Sequence, residues 1–236
     1  DSEQGVLQHF QHQAANNSSL CSNSIHDIIQ DHSGTMWFAT ENGLCQLNQE
    51  TKTFTRHHYE SNRSSSLIGS RVSSLLQDKG GVIWVGTQSG VSRWNASLSY
   101  FAHISKESPS HAQLSSNSIM AFTSDSDNNL YLGTWGGGLN VISSDQSKIS
   151  VIRADNNKSG GLAEDMLMSL LVDSADNLWL GTFRSGLQFK AKGQDEFVSF
   201  VHQENNSNSI SNNGISKIIQ LNNGKIAIAT YGGGLN

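Results

Sequence analysis

Apolar residues along this chain come in short bursts separated by polar turns, and the bursts recur with a fixed period. Trp37, Trp84, Tyr131, Trp179 and Ala227 hold one equivalent position, at steps of 47, 47, 48 and 48 residues. The same steps relate Leu20, Leu67, Leu114, Leu162 and Ile210, and again Leu7, Phe54, Phe101, Ile149 and Phe197. Three columns in register exclude coincidence. A period of this length signals stacked or radially arranged repeats.

Within the first full unit, residues 24–30, 36–40, 43–48 and 53–59 are short runs rich in β-branched and aromatic residues. Asp31-His32-Ser33-Gly34 and Glu41-Asn42-Gly43 separate them as turns, since Asp ties its own backbone and Gly permits positive φ. No window carries a capped 3.6-residue period, so helices are not expected. Four short strands with tight turns predict a four-stranded antiparallel blade. Repetition of such blades predicts an all-β fold, a β-propeller of about five repeats. The units run over 1–20 (the outer strand of a preceding blade), 21–67, 68–114, 115–162, 163–210 and 211–236, the last incomplete. The Trp column is read as packing between blades, because an aromatic fixed in a repeat is core.

Composition fits this reading. Turns draw on 22 Gly and many Asn and Ser, with a single Pro. The net charge of −5 and scattered basic residues argue against nucleic-acid binding. No apolar run is long enough to span a membrane, so any membrane link lies in parts of the parent beyond these residues. Cys21 and Cys45 are expected to be free, partly buried thiols. Cys21 precedes strand one while Cys45 opens strand three, about 9–10 Å away at two strand spacings, too far for a disulfide.

The unit pattern Asp-x-x-Gly-x-Leu-Trp-hydrophobic-Gly-Thr, followed shortly by Gly-Leu, resembles the two-component regulator propeller repeat. Asp78–Thr87 with Gly90-Val91 and Asp173–Thr182 with Gly186-Leu187 carry the likeness, as does the connection Asn205–Asn212. The last repeat departs, with Leu221 for Asp, Ala227 for Trp and Ala229 for Gly. The resemblance implies a non-catalytic periplasmic sensor region of a bacterial inner-membrane receptor. The output half of such receptors is a histidine kinase, often hybrid, or a GGDEF-type diguanylate cyclase.

In a propeller, the loops joining strands two and three share a face with the connections between blades. These loops vary more than the strands, and recognition usually sits on such variation. Trp135, Phe183 and Tyr231 each follow the repeat Thr. With Asn117, Asp165 and Arg184 they form the candidate ligand site, in which rings stack on a flat polar ligand and Arg184 clamps a carboxylate. A small molecule, a glycan or a peptide all fit this description. The opposing reading has the rings close over the next blade and Arg184 pair with a neighbouring acid. No catalytic residue, cofactor or metal site is expected. Asp125–Asn129 imitates the start of a calcium loop but lacks its later ligands, and no His pair has metal-site spacing. Two other functions stay open. One is a propeller lyase or glycan-cleaving enzyme, for which the loop face offers Glu41, Glu164, Asp165 and Arg184. The other is a structural scaffold for another chain.

Val6–Phe10 reads as a fourth strand and Leu235-Asn236 as the start of a third. A closed five-bladed ring would need these two to pair. The expectation is instead an open arc of a larger propeller, commonly seven-bladed in the resembling family. Exposed blade faces would then favour a homodimer or other self-association.

Overall fold

The computed structural model describes residues 8–95, 100–108, 113–155 and 158–236. Strands β1 (Ile25–Gln30), β2 (Met36–Thr40), β3 (Gly43–Asn48) and β4 (Thr53–His57) pair in sequence order as the first antiparallel blade. The second blade holds β5 (Val72–Gln77), β6 (Ile83–Thr87), β7 (Gly90–Asn95) and β8 (Tyr100–Ile104). The third holds β9 (Ile119–Ser124), β10 (Leu130–Thr134), β11 (Leu139–Ile142) and β12 (Ile149–Ile152). The fourth holds β13 (Leu167–Val172), β14 (Leu178–Thr182), β15 (Leu187–Lys190) and β16 (Val198–Phe200). Strands β17 (Ile215–Gln220), β18 (Ile226–Thr230) and β19 (Gly234–Leu235) form the fifth, three-stranded here. There is no helix among the described residues. The all-β propeller architecture expected from the repeat is the observed one.

The first strands of successive blades lie side by side around an axis, β1 on β5, β5 on β9, β9 on β13 and β13 on β17. Side chains clasp them. Asp27 Oδ2 accepts from Leu75 N (2.8 Å), Thr123 Oγ1 from Val172 N (3.0 Å) and Ser169 Oγ from Ile218 N (2.9 Å). Four of the five core clusters are shared by two blades. Trp37, Ala39 and Leu44 of blade 1 meet Val72, Leu75, Ile83 and Val85 of blade 2. Trp84 and Val91 meet Ile119, Phe122, Leu130 and Leu132 of blade 3. The small residue on each second strand allows this approach. A Cβ on Gly86 would stand 2.8 Å from Ile119 and 2.9 Å from Phe122. β17 does not pack on β1 in the way the other first strands pack on one another; Lys217 Nζ reaches across, 3.9 Å from Asp27 Oδ1.

The turn columns couple to the Trp column. Asp31, Asp78 and Asp173 accept the indole N–H of Trp37, Trp84 and Trp179, each at 2.8 Å. Asp125 does the same for the Tyr131 hydroxyl (3.0 Å) and otherwise accepts from its own turn, at Asp127 N and Asn129 N. Burial pushes the Asp31 and Asp173 carboxyls up. The hydrogen bonds donated by Ser33 and Trp37, and by Trp179 and Asn177, outweigh it and hold both below the ordinary Asp value. In the last repeat Leu221 and Ala227 replace Asp and Trp together. A buried indole N–H needs an acceptor, so the two positions change as a pair.

The cysteines correct the expectation. Cys21 and Cys45 form a disulfide with Cα atoms 5.9 Å apart. Cys21 does not stand at the head of β1. The segment entering each blade first crosses its outer strands, as the hydrogen bond from Phe54 N to Ser18 O shows (2.8 Å), and this crossing places Cys21 directly over β3. Every blade repeats the contact. The crossing N–H groups of Ile68, Ser115, Ala163 and Ser211 donate to Ser92 Oγ (3.0 Å), Asn140 Oδ1 (2.9 Å), Gln188 Oε1 (2.9 Å) and Asn236 Oδ1 (2.9 Å). In blade 1 the covalent bond joins the same two positions. Phe10 packs edge-to-face on Phe54 beside this disulfide, with ring centroids 5.2 Å apart. Of the strand expected over Val6–Phe10, Val6 and Leu7 lie outside the described residues and Gln8–Phe10 are not in a strand.

Candidate functional site

Each loop between strands two and three is set by the repeat Thr. Thr40, Thr87, Thr134 and Thr182 donate their hydroxyls to the carbonyls of Gly43, Gly90, Gly138 and Gly186 at 2.8–2.9 Å. Gly43 lies at φ 102°, a conformation that glycine takes without strain. The residue after the Thr is then pinned by its own N–H. Trp135 N donates to Ser118 O (2.9 Å), Phe183 N to Met166 O (3.0 Å) and Tyr231 N to Gly214 O (2.8 Å). Glu41 N donates likewise to Ser24 O (3.1 Å). One column, Glu41, Gln88, Trp135, Phe183 and Tyr231, therefore crowns the loop face.

The structure brings the three rings together. Trp135 and Phe183 have centroids 5.0 Å apart, Phe183 and Tyr231 6.0 Å. Trp135 and Tyr231 stay exposed while Phe183 is partly covered between them. The Arg184 guanidinium lies over the Phe183 ring, 5.1 Å from its centroid. Its backbone N–H, with that of Ser185, donates to Glu164 Oε2 (2.8 and 3.0 Å). The Arg184 side chain is exposed at the rim and makes no ion pair among the described residues.

Asn117 and Asp165 are not aimed at the same space. Asn117 Oδ1 accepts from Lys106 N (2.6 Å), and its amide donates to Glu107 Oε2 (2.9 Å), holding that carboxyl below its ordinary value. Asp165 Oδ1 accepts from Ala154 N (2.7 Å) and Oδ2 faces Arg153 Nη1 (3.1 Å). Asn23 and Asn213 make the equivalent contact, accepting from His12 N and His202 N, both at 2.7 Å. These four side chains latch the connections entering blades 1, 3, 4 and 5. The Asp165 carbonyl also accepts from Gly136 N and Gly138 N (3.1 and 3.0 Å), which steadies the loop that carries Trp135.

Beneath the crown lies a cleft of about 410 Å³ that touches the first strands of all five blades. A second of about 420 Å³ opens beside Trp135, and the two share Arg71, Ser73, Met120 and Met168. The wall is mixed, with apolar Ile29 and Leu75 beside the polar groups of blades 1 and 2 and Ser169 among the apolar ones of blades 3 and 4. Blades 1, 2 and 5 contribute His26, Asp27, Ser73 and Lys217, whereas blades 3 and 4 contribute Met120 and Met168. At the polar rim Glu41 Oε2 lies 2.9 Å from His26 Nε2 and 3.4 Å from Arg71 Nε. Sequence reasoning had passed over Arg71, Met120 and Met168. They come from three repeats, and the methionine column also holds His26, Ser73 and Ser216, so no repeated chemistry marks it. A larger hollow of about 520 Å³ between Gln30, Gly34 and Asn48 lies at the opposite end of blade 1 and offers no ring or cation. Among the described residues no three His, Cys, Asp or Glu side chains gather as a metal site.

Fold and crown define a propeller of blades with a variable loop face. The model of the two component regulator propeller family matches residues 19–42, 66–89 and 113–136, so the chain carries repeats of this kind. Each match runs from the crossing segment through the second strand to the crown or just past it. No curated protein matches the chain. Among solved structures it is similar to the extracellular domain of BT3049 from B. thetaiotaomicron, described as a hybrid two component system. The TM-score is 0.63 at 24% identity, over 96% of this chain and 35% of that one. It is also similar to the extracellular domain of BT4673 from B. thetaiotaomicron, described as a one component system, with TM-score 0.71 and 22% identity over 90% of this chain and 27% of that one. Virginiamycin B lyase from Staphylococcus aureus shares the fold as well, with TM-score 0.60 and 15% identity over 90% of this chain and 69% of that one. The chain thus spans about a third or less of the two B. thetaiotaomicron chains.

Proposed function

We infer that this chain is a non-catalytic extracytoplasmic sensor propeller of a bacterial signal-transduction receptor and that it binds its ligand on the loop face. The observation that carries this is the contiguous row of Trp135, Phe183 and Tyr231 on the loop face, in which Tyr231 lines the first cleft and Trp135 the second. Large rings kept in water beside a hollow are a recognition device, since aromatic area is otherwise buried. The family repeats and the likeness to two extracellular receptor domains support the sensor reading. The Cys21–Cys45 disulfide supports a periplasmic or other oxidising location. A kinase or cyclase output domain in the parent belongs to the same proposal.

The loop-face carboxylates speak for binding over catalysis. Glu164 is occupied by two backbone N–H groups, Asp165 by one and by Arg153, and Glu41 by His26 and Arg71. The test is a thermal-shift screen of mixed small molecules, sugars and peptides. A ligand at a hundred times its Kd stabilises the folded chain by about 2.7 kcal/mol. The expected outcome is a compound that raises the melting temperature of the parent chain but not of Trp135→Ala or Arg184→Ala. Shifts retained in both variants would move the site off the crown.

A further inference from the structure

We propose that the cleft beside Trp135 binds an organic monocarboxylate with an apolar, aromatic or acyl body, and that Arg71 holds its carboxylate. This deepens the loop-face reading above and rests on it. The lining is chemically lopsided. Met120, Met168 and Trp135 give it an apolar floor and side, Gln88 and Ser118 are neutral donors, and Arg71 is the one charged group. No carboxylate lines it. At about 420 Å³ it is of small-molecule size.

Arg71 is poised rather than committed. Its contact is with Glu41, through Nε at 3.4 Å, between side chains about half exposed. Among the described residues its two Nη groups donate to nothing, which leaves the fork that recognises a carboxylate bidentately. Glu41 already has a second partner in His26 at 2.9 Å. An incoming carboxylate therefore displaces Glu41 from Arg71 without stranding it. The two methionines suit the apolar end, because flexible thioethers reshape around bodies of different outline. Trp135 supplies a flat wall, with the Phe183 ring centroid 5.0 Å from its own.

The experiment titrates the 236-residue chain with 4-phenylbutyrate and, in parallel, with 4-phenylbutyramide, followed by calorimetry and tryptophan fluorescence. The acid should bind at least tenfold more tightly than the amide. Arg71→Gln should abolish that difference, and Glu41→Gln should tighten the acid severalfold by removing its competitor. Both positions are solvent-exposed, and unchanged melting temperatures confirm that the variants fold. Equal binding of acid and amide, or an acid affinity indifferent to Arg71→Gln, overturns the assignment. Absence of binding by both probes, and by decanoate, also overturns it. In that case a neutral compound that still raises the melting temperature through Trp135 leaves the sensor reading standing, and failure of the whole library removes both.

Discussion

The seam between blades 1 and 2 and the outer face of blade 1 are built from equivalent residues and end in opposite states. On the seam, Val72 and Leu75 of β5 are 0% and 5% exposed; their counterparts on β1, Ile25 and Ile28, are 40% and 48% exposed. The far end repeats the contrast. Leu187 is 2% exposed beside blade 5, whereas Leu235, the same repeat position, is 77% exposed. Side-chain chemistry does not differ within these pairs. For Ile25 and Ile28 what differs is whether a neighbouring blade lies against the sheet; Leu235, in addition, has no fourth strand beside it, whereas Leu187 pairs with β16. A blade is therefore half of a core, and the free energy of its apolar face is realised only in the seam.

The strongest way to break a seam is to remove its largest ring, which in the next seam, between blades 2 and 3, is Trp84. Trp84 is fully buried and its indole N–H is held by Asp78. Trp84→Ala is expected to cost about 3–5 kcal/mol, with Trp179→Ala in the same range. Chemical unfolding measures it, and variants that melt within a degree or two of the parent would show that blades hold without the ring.

Acid should loosen the seam between blades 1 and 2 by a smaller amount. His57 sits among Trp37, Trp94 and Phe101 at 5.4–5.8 Å, and its Nε2 is buried without a partner. Burial, and then the neighbouring His58, push its pKa down to about 4. The unfolded chain takes up a proton near pH 6.5 that the folded chain refuses until about 4. The contribution is fully present above pH 6.5 and is lost as pH falls through that window, to the extent of about 3 kcal/mol. His57→Phe should flatten this slope in urea titrations at pH 7 and pH 4.5. A parent and variant with parallel slopes would remove His57 from the account.

The smallest effects sharpen the contrast most. Leu75→Ala and Leu187→Ala should each cost about 2–5 kcal/mol, while Ile28→Ala and Leu235→Ala should stay within about 1 kcal/mol. In sedimentation runs, Ile28→Lys and Leu235→Lys should reduce any association of the isolated chain. Large stability losses from Ile28→Ala in a monomer would mean that its face is covered after all.

Much of the propeller was legible because its columns are apolar and repeat. The strand windows agree with the observed strands to within two residues, as with 53–59 against Thr53–His57. The disulfide was missed because chain order was read as spatial order. The informative column was Cys45, Ser92, Asn140, Gln188 and Asn236, polar positions on strands that otherwise face the core. The crown was half legible. Three rings after a repeat Thr stand out in sequence, but Glu41 and Gln88 share their column without sharing their chemistry. The floor below was illegible, since Arg71, Met120 and Met168 meet only through the radial arrangement of separate blades. Asn117 and Asp165 looked like site residues because polar loop side chains have two uses, and spacing does not separate a latch from a ligand contact.

That polar column under the crossing segments has a consequence for how the chain finds its partners. Blades this alike invite a segment to settle on the wrong sheet during folding, a hazard of repeat proteins. Yet the five blades use four kinds of catch: Ser92, Asn140 and Gln188 reach their crossing N–H groups at 2.9–3.0 Å with side chains of different reach, Asn236 repeats the Asn in blade 5, and blade 1 closes with sulfur. A segment on the wrong sheet would ride too high or too low and leave a buried hydroxyl or amide unpaired, at about 1–3 kcal/mol. The column thus works as a set of keys in four cuts, an address written in side chains inside an otherwise repetitive core.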